Sequence, residues 1–198
     1  MELHRHASAP ATSRRSRGAA VLEMVLVTPL LLLLLFGVGE FGLAYVSGNK
    51  VEGAVSAAAR VASSQGSVDD ADRAVLMQVR ASLPSELLAN VERVVVYRSD
   101  NAGYIHPQCL SNTPQSGVSG WCNVYSGTTV RNVTGATVLG GAQNFWEPDD
   151  RLDTLAGPPD YIGVLVETRH DDFSGTFWRD GFDLERRSVY RIQPDING

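Results

Sequence analysis

The stretch MVLVTPLLLLLLFGVG, residues 24–39, decides the fold because it contains no charged residue over its whole length. It is the only part of the 198-residue chain that is apolar enough to enter a lipid bilayer. As an α-helix it is about 24 Å long, whereas the hydrocarbon core of a bilayer is about 30 Å thick. A membrane span must therefore extend beyond the uncharged stretch and bring Glu23 or Glu40 near or into the hydrocarbon.

The energetic cost of the Glu23 carboxylate depends on where the membrane span begins. If the span begins directly after Arg17, Glu23 lies about 9 Å deep, where an ionised carboxylate costs about 2.5–3.5 kcal/mol unless it is paired. One interpretation is that the side chain reaches back to the headgroup region. The other is that a partner supplies a positive charge there, since ionisable groups inside a membrane are usually functional.

Charge divides the chain into a basic leader and an acidic remainder. Residues 1–18 carry four arginines against Glu2, a net charge of +3, so the remainder carries −8 in a total of −5. Arginines on the near side of the apolar stretch place the N-terminus in the cytoplasm and the remainder across the membrane. The remainder has one lysine, Lys50, which argues against nucleic acid as a partner, because phosphate binding requires clustered Lys and Arg.

Helical spacing continues past the apolar stretch, with apolar residues at intervals of three, four and seven and alanine at every fourth position. We therefore expect one helix from about residue 20 to about residue 64, within residues 19–64, whose transmembrane half covers about residues 19–43. At roughly 65 Å this helix is too long for a small domain, so its outer half must pack on the head or on neighbouring chains. The residues that carry this spacing are Ala44, Val51, Ala54, Val55, Ala58 and Ala62.

Residues 65–198 are predicted to form an exported α+β head, in which a second helix packs on a small antiparallel sheet with long loops. The second helix is expected from about Asp70 to Leu83, where Asp69, Asp70 and Asp72 favour a helix N-terminus. The predicted strands, which are rich in β-branched residues, are Val91–Arg98, Tyr161–Arg169 and Ser188–Ile192.

Residues 99–159, between the first two predicted strands, are rich in Gly, Ser, Asn, Thr and Pro. A structureless loop of this size is unusual. It either carries short strands that the pattern does not reveal or forms the variable, exposed part of the head. Within it, Thr128–Leu139 is the candidate for a weak hairpin.

Cys109 and Cys122 are the two cysteines of the chain, and both lie in this loop-rich region. In an exported head we expect them to form a disulfide, which contributes about 3 kcal/mol in the chain-entropy model. With His106 they offer three metal ligands, but the spacing matches no paired C-x-x-C pattern, so no metal is expected. His106 and His170 lie in no recognised nucleophile or metalloenzyme motif, so we expect neither catalysis nor a cofactor.

The N-terminal part of the chain resembles a known family at several points. The segment Arg17-Gly18-Ala19-Ala20-Val21-Leu22-Glu23-Met24 is similar to the processing site of type IV prepilins, where a basic leader ends in glycine and glutamate is the fifth residue of the helix. Residues 17–63 resemble more specifically the TadE-like family of tight-adherence (Flp) pilus proteins. The matching positions are Arg17-Gly18, Glu23, Pro29, the leucine run, Glu40-Phe41-Gly42 and Ala58-Ala59-Arg60.

This resemblance implies a minor pilin or pseudopilin, a structural subunit with a single membrane span that acts in the assembly of a pilus or a related secretion system. A membrane prepilin peptidase would cut after Gly18 and leave Ala19 as the new N-terminus. Glu23 would then pair with the α-ammonium group of its own or a neighbouring subunit. The implied partners are the peptidase, other pilin or pseudopilin subunits, membrane assembly proteins and the lipid bilayer.

Two other interpretations remain open. The chain could be a permanently anchored, unprocessed envelope protein that serves assembly or adhesion. It could also be a secreted binding protein whose apolar stretch is a removable signal peptide, and Ser13-Arg14-Arg15 resembles the start of a twin-arginine signal. The mass of the mature chain separates the three, because they predict loss of residues 1–18, no loss, or loss of about 45 residues.

Overall fold

The computed structural model describes residues 14–139, 144–153, 158–171 and 181–194, with side chains from Gly18 onward. Residues 1–13, which make up most of the predicted basic leader, lie outside this range. The chain divides into two compact units, Met1–Phe41 and Gly42–Gly198.

The first unit is dominated by helix α1, which begins at Arg14, ends at Gln65 in the second unit, and contains Pro29. Within the described residues it is the one helix long and apolar enough to cross a membrane. Residues 18–36 are exposed throughout. Thr28, just before the proline, donates a hydrogen bond from Oγ1 to the carbonyl oxygen of Met24 at 2.6 Å, the return bond that helical threonines often make.

The second unit is an α+β head, as the sequence predicts. Its strands form one sheet in the order β2-β3-β1-β4-β5, and every neighbouring pair is antiparallel. The strands are β1 (Val91–Ser99), β2 (Ser116–Val118), β3 (Cys122–Ser126), β4 (Tyr161–His170) and β5 (Phe182–Arg191). The helices after α1 are α2 (Ala71–Ser82), α3 (Ser85–Ala89), α4 (Pro107–Ser111) and α5 (Gly127–Asn132), with a 3₁₀ turn at Pro148–Asp150.

The predicted second helix and three strands are confirmed in type, with the largest difference at β5. This strand begins at Phe182, six residues before the predicted Ser188. Its first six residues include Asp183, Glu185 and Arg187, all exposed, and only Leu184 is buried among them, so this part shows no clear alternation of apolar residues. Charged residues are typical of an edge strand, because they discourage pairing with further strands.

The weak hairpin predicted at Thr128–Leu139 is wrong, because Gly127–Asn132 forms helix α5. The threonines there favour extended backbone, but Ser126 provides a helix cap: its Oγ accepts a hydrogen bond from the backbone N–H of Thr129 at 3.1 Å. The loop-rich region 99–159 as a whole carries the short strands β2 and β3, the first of the two interpretations given above.

Two apolar clusters lie on opposite faces of the sheet. On one face, the part of α1 beyond Gly42 and helix α2 pack on β1 and β4. The small residues Ala54, Ala58 and Ala62 are almost fully buried there, so that α1 can approach the sheet closely. On the other face, Val95, Tyr97 and Leu165 are covered by the segment that contains both cysteines. The middle of strand β1 is therefore buried on both faces, which explains the continuous apolar run from Val94 to Tyr97.

The order of the elements gives the head two ends. Helix α1 enters the head at Gly42, and a connection of five residues, 66–70, turns the chain back into α2. Strand β1 then starts where α2 and α3 end, and β4, antiparallel to β1, finishes beside the start of β1. One end of the head contains the first turns of α1 after Gly42, helix α3, the start of β1 and the end of β4. We call this end the proximal end.

Candidate assembly site

The predicted processing and assembly residues lie within two turns of one another, near the start of α1. Gly18, Ala19 and Glu23 are all exposed and helical. A Cβ atom added to Gly18 would meet nothing within 4 Å, so the chain itself does not require glycine there. Ala19 and Glu23 are four residues apart, which places them on the same side of the helix and about 6 Å apart along its axis. A charge at the nitrogen of Ala19 is thus within reach of the Glu23 carboxylate.

The apolar surface of α1 continues around the whole helix from Val21 to Phe36. Thirteen large apolar side chains here, from Val21 to Phe36 and including six consecutive leucines, are exposed, with exposed fractions between 42% and 70%. A soluble monomer rarely exposes a continuous apolar patch of this size. The surface therefore requires a covering, and a lipid bilayer is a suitable one, since the helix is long and apolar enough to cross it.

Glu40, the second carboxylate that flanks the apolar stretch, differs from Glu23 in its environment. It is 3% exposed, whereas Glu23 is exposed. The sequence offers no sign of this difference, since both glutamates border the same apolar stretch.

The two cysteines of the head are joined by a disulfide between Cys109 in α4 and Cys122 at the start of β3, with their Cα atoms 6.1 Å apart. Both residues are fully buried in the second apolar cluster. The closed loop includes β2 and is short, which corresponds to about 3 kcal/mol of stabilisation in the chain-entropy model. A disulfide of this kind is typical of a compartment outside the cytoplasm.

A buried polar cluster, which the sequence does not reveal, connects α2, β3 and the segment 144–153. The Asp72 carboxylate accepts hydrogen bonds from Asn123 Nδ2 at 2.7 Å, Tyr125 Oη at 2.5 Å and Arg151 Nη2 at 2.6 Å. Both side chains of the ion pair, Asp72 and Arg151, are 0% exposed. The Arg151 guanidinium also lies over the Trp146 ring, 4.5 Å from its centroid.

This cluster has a clear electrostatic consequence. Burial, together with the adjacent Asp72 carboxylate, raises the pKa of Tyr125 well above its usual value, so Tyr125 remains a neutral donor. Asp72 was expected only as an acidic residue that favours the start of a helix. Its hydrogen-bond partners lie 51 to 79 residues away in sequence, so no local pattern predicts these contacts.

A row of polar side chains on α1 faces strand β5 along the surface of the head. Ser56 Oγ and Arg60 Nε both lie 3.2 Å from Tyr190 Oη. Hydrogen bonds from Ser56 and Arg60 lower the pKa of Tyr190. One turn earlier in the row, Glu52 lies 3.8 Å from Arg186. This row fixes the rotation of α1 on the sheet, since it adds directional contacts to an apolar interface.

Comparison with known proteins adds one result to this geometry. Residues 18–60 match the model of a family described as TadE-like protein. No curated protein and no solved structure matches the chain. The matched residues include Gly18, Ala19 and Glu23 and end at Arg60, so they lie within α1 and include none of the sheet. The resemblance drawn from the sequence is thereby confirmed: over residues 18–60 the chain is similar to TadE-like proteins, which indicates a protein associated with the Tad pilus.

Proposed function

We propose that this protein is a minor pilin or pseudopilin of a tight-adherence pilus or a related secretion system, anchored in the cell membrane by α1 and active through assembly rather than catalysis. The observation that carries the proposal is the family match over residues 18–60, which coincides with an apolar helix surface that the chain leaves exposed. Its partners are then other pilin or pseudopilin subunits and the membrane proteins that assemble them.

The charge pattern gives the orientation in this proposal. The four arginines of residues 1–18 stay in the cytoplasm, and the acidic head lies outside the cytoplasm. The disulfide between Cys109 and Cys122 supports this orientation, because disulfides persist in oxidising compartments.

Processing would prepare α1 for assembly. A prepilin peptidase cuts the Gly18–Ala19 bond, and the new α-ammonium group of Ala19 lies about one helical turn from Glu23. In a low-dielectric surrounding, this cation offsets the cost of burying the Glu23 carboxylate, either within one subunit or between neighbours. Removal of the arginines also takes four positive charges away from the end of the helix.

Helix packing would then hold the subunits together. Cβ atoms added at Gly39 or Gly42 would meet nothing within 4 Å, so these glycines leave the helix surface open for close approach. Small residues are what membrane helices use at their contacts, because van der Waals packing drives their association.

The substitution Glu23→Leu tests this assembly mechanism. It makes the span more apolar, so insertion should be at least as efficient as in the parent, while co-isolation with pilus subunits should fall and processing should persist. Glu23→Asp, which keeps the charge, should retain more partner recovery than Glu23→Leu.

Thr28→Leu is the matched control, since it also replaces an exposed polar residue of the span by leucine but removes no charge. It should leave partner recovery unchanged. Equal recovery of partners from Glu23→Leu and its parent, at equal membrane levels, would show that Glu23 only reaches toward the headgroups.

A further inference from the structure

The proximal end of the head contains a pocket of about 300 Å³, whose lining combines polar and apolar residues. The pocket is lined by Ser47 and Lys50 of α1, by Pro84, Glu86, Leu87 and Asn90 in and around α3, and by the end of β4 with the residue after it. All these residues belong to the second unit of the chain. The residues that line the pocket at the end of β4 are Arg169, His170 and Asp171.

The position of the pocket along the chain relates it to the membrane. Lys50 follows Gly42, the first residue of the head, by eight residues, or about 12 Å along α1. The headgroup region adds about 5–7 Å on each side of the hydrocarbon core, and a lysine side chain can reach back by several ångströms. If the span ends near residue 43, as the sequence predicts, the ammonium group of Lys50 would lie at the level of the lipid headgroups.

Positively and negatively charged side chains both line this pocket. Lys50, the only lysine of the chain, is exposed and belongs to none of the ion pairs among the described residues. Opposite charge comes from Glu86, which is exposed, and from Asp171, whose Oδ2 accepts a hydrogen bond from Asn90 Nδ2 at 2.7 Å. That bond holds the Asp171 carboxylate in place at the rim. The pocket thus offers a cation for a phosphate group and carboxylates for an ammonium group.

We infer that this pocket binds the headgroup of a zwitterionic phospholipid that carries a primary ammonium, as phosphatidylethanolamine does. The phosphate group lies against Lys50 and the lining of β4, and the ammonium group donates hydrogen bonds to Glu86 and Asp171. Phosphatidylcholine lacks N–H donors for these carboxylates, and phosphatidylglycerol lacks a cation altogether. The inference rests on the proposed membrane anchoring through α1.

Lipid retention by the full chain tests the inference directly. The protein is inserted into nanodiscs that contain equimolar phosphatidylethanolamine, phosphatidylglycerol and phosphatidylcholine, and the lipids retained on release are counted by native mass spectrometry. The parent should retain phosphatidylethanolamine in preference to the other two. Lys50→Met should lower that retention about fivefold, the change expected for one basic residue at a membrane surface.

Two further variants separate headgroup recognition from general charge attraction. Glu86→Gln should lower retention of phosphatidylethanolamine and leave phosphatidylglycerol unchanged or raised. Arg191→Met is the matched control, because it removes an exposed positive charge from the end of β5, outside the pocket. It should leave the preference unchanged.

The possible failures are distinguishable. Insertion without a preference among the three lipids, or a preference for phosphatidylglycerol, would contradict the headgroup site and leave the proposed function intact. If the full chain does not insert at all, the proposed anchoring is wrong and the inference is overturned with it.

Discussion

Replacing Arg151 by methionine removes the cation that faces Asp72 in the interior of the head. The two side chains are 0% exposed and 2.6 Å apart, so solvent does not screen their interaction. In the variant, the Asp72 carboxylate keeps hydrogen bonds from Asn123 and Tyr125 but loses its only ion-pair partner among the described residues. Removal of one member of a buried pair typically costs about 3–5 kcal/mol.

The expected loss is measurable by thermal unfolding of the full chain in nanodiscs, followed by near-ultraviolet circular dichroism of the head. For a domain of this size, 1 kcal/mol lowers Tm by roughly 2–4 °C, so Arg151→Met should lower Tm by roughly 6–20 °C. The double variant Asp72→Asn/Arg151→Met, which removes both charges, should recover part of this loss, because no unpaired charge is left.

Arg98→Met is the matched control for this experiment. Arg98 also pairs with an aspartate, Asp160, at 2.7 Å, but its side chain is 39% exposed. Solvent screening limits such a pair to about 1 kcal/mol or less. If Arg151→Met destabilised the head no more than Arg98→Met does, the cluster around Asp72 would not be the polar anchor that its geometry indicates.

Two more predictions concern the frame of the head. The double substitution Cys109→Ser/Cys122→Ser should lower the free energy of unfolding, measured in urea, by about 3 kcal/mol. Thiol labelling of the denatured, unreduced parent should find no free cysteine. Quantitative labelling of both cysteines would contradict the disulfide. Gly127→Ala should prevent native folding, because its Cβ would lie 1.7 Å from the carbonyl oxygen of Val91, whereas Gly135→Ala, which meets nothing within 4 Å, should fold normally. Equal stability of the two glycine variants would refute the close approach.

Much of the fold follows from local sequence patterns. The four-residue spacing of alanines in α1 and the β-branched run of β1 both indicate burial in the head, whereas the uncharged stretch 24–39 indicates a membrane span that the chain itself leaves exposed. The disulfide was also predictable, because two cysteines allow a single intramolecular pairing.

The remaining features depend on contacts between distant residues. Helix α5 lies in a threonine-rich segment whose propensity favours a strand, and the cap supplied by Ser126 outweighs that preference. Strand β3 was not predicted because Asn123, a buried polar residue, interrupts its apolar sequence. Asn123 is fully buried only because Asp72 and the backbone of Trp146 satisfy its amide.

The residues of the candidate site and those of the pocket also differ in whether a local sequence pattern reveals them. Gly18, Ala19 and Glu23 are recognisable because their spacing along one helix is itself the pattern, which the family match includes. The pocket beside Lys50 is not recognisable, because it combines residues from α1, α3 and the end of β4 that are adjacent only in the folded head.

The mass of the mature chain, isolated from the membranes of its native cell and measured intact, tests the central claim most directly. A processed pilus subunit should lack residues 1–18, begin at Ala19 and retain the apolar span, and replacement of Gly18 by a bulky residue should leave the full-length precursor in the membrane. A native chain that still carries residues 1–18, or one that has lost the whole apolar segment, would contradict the account.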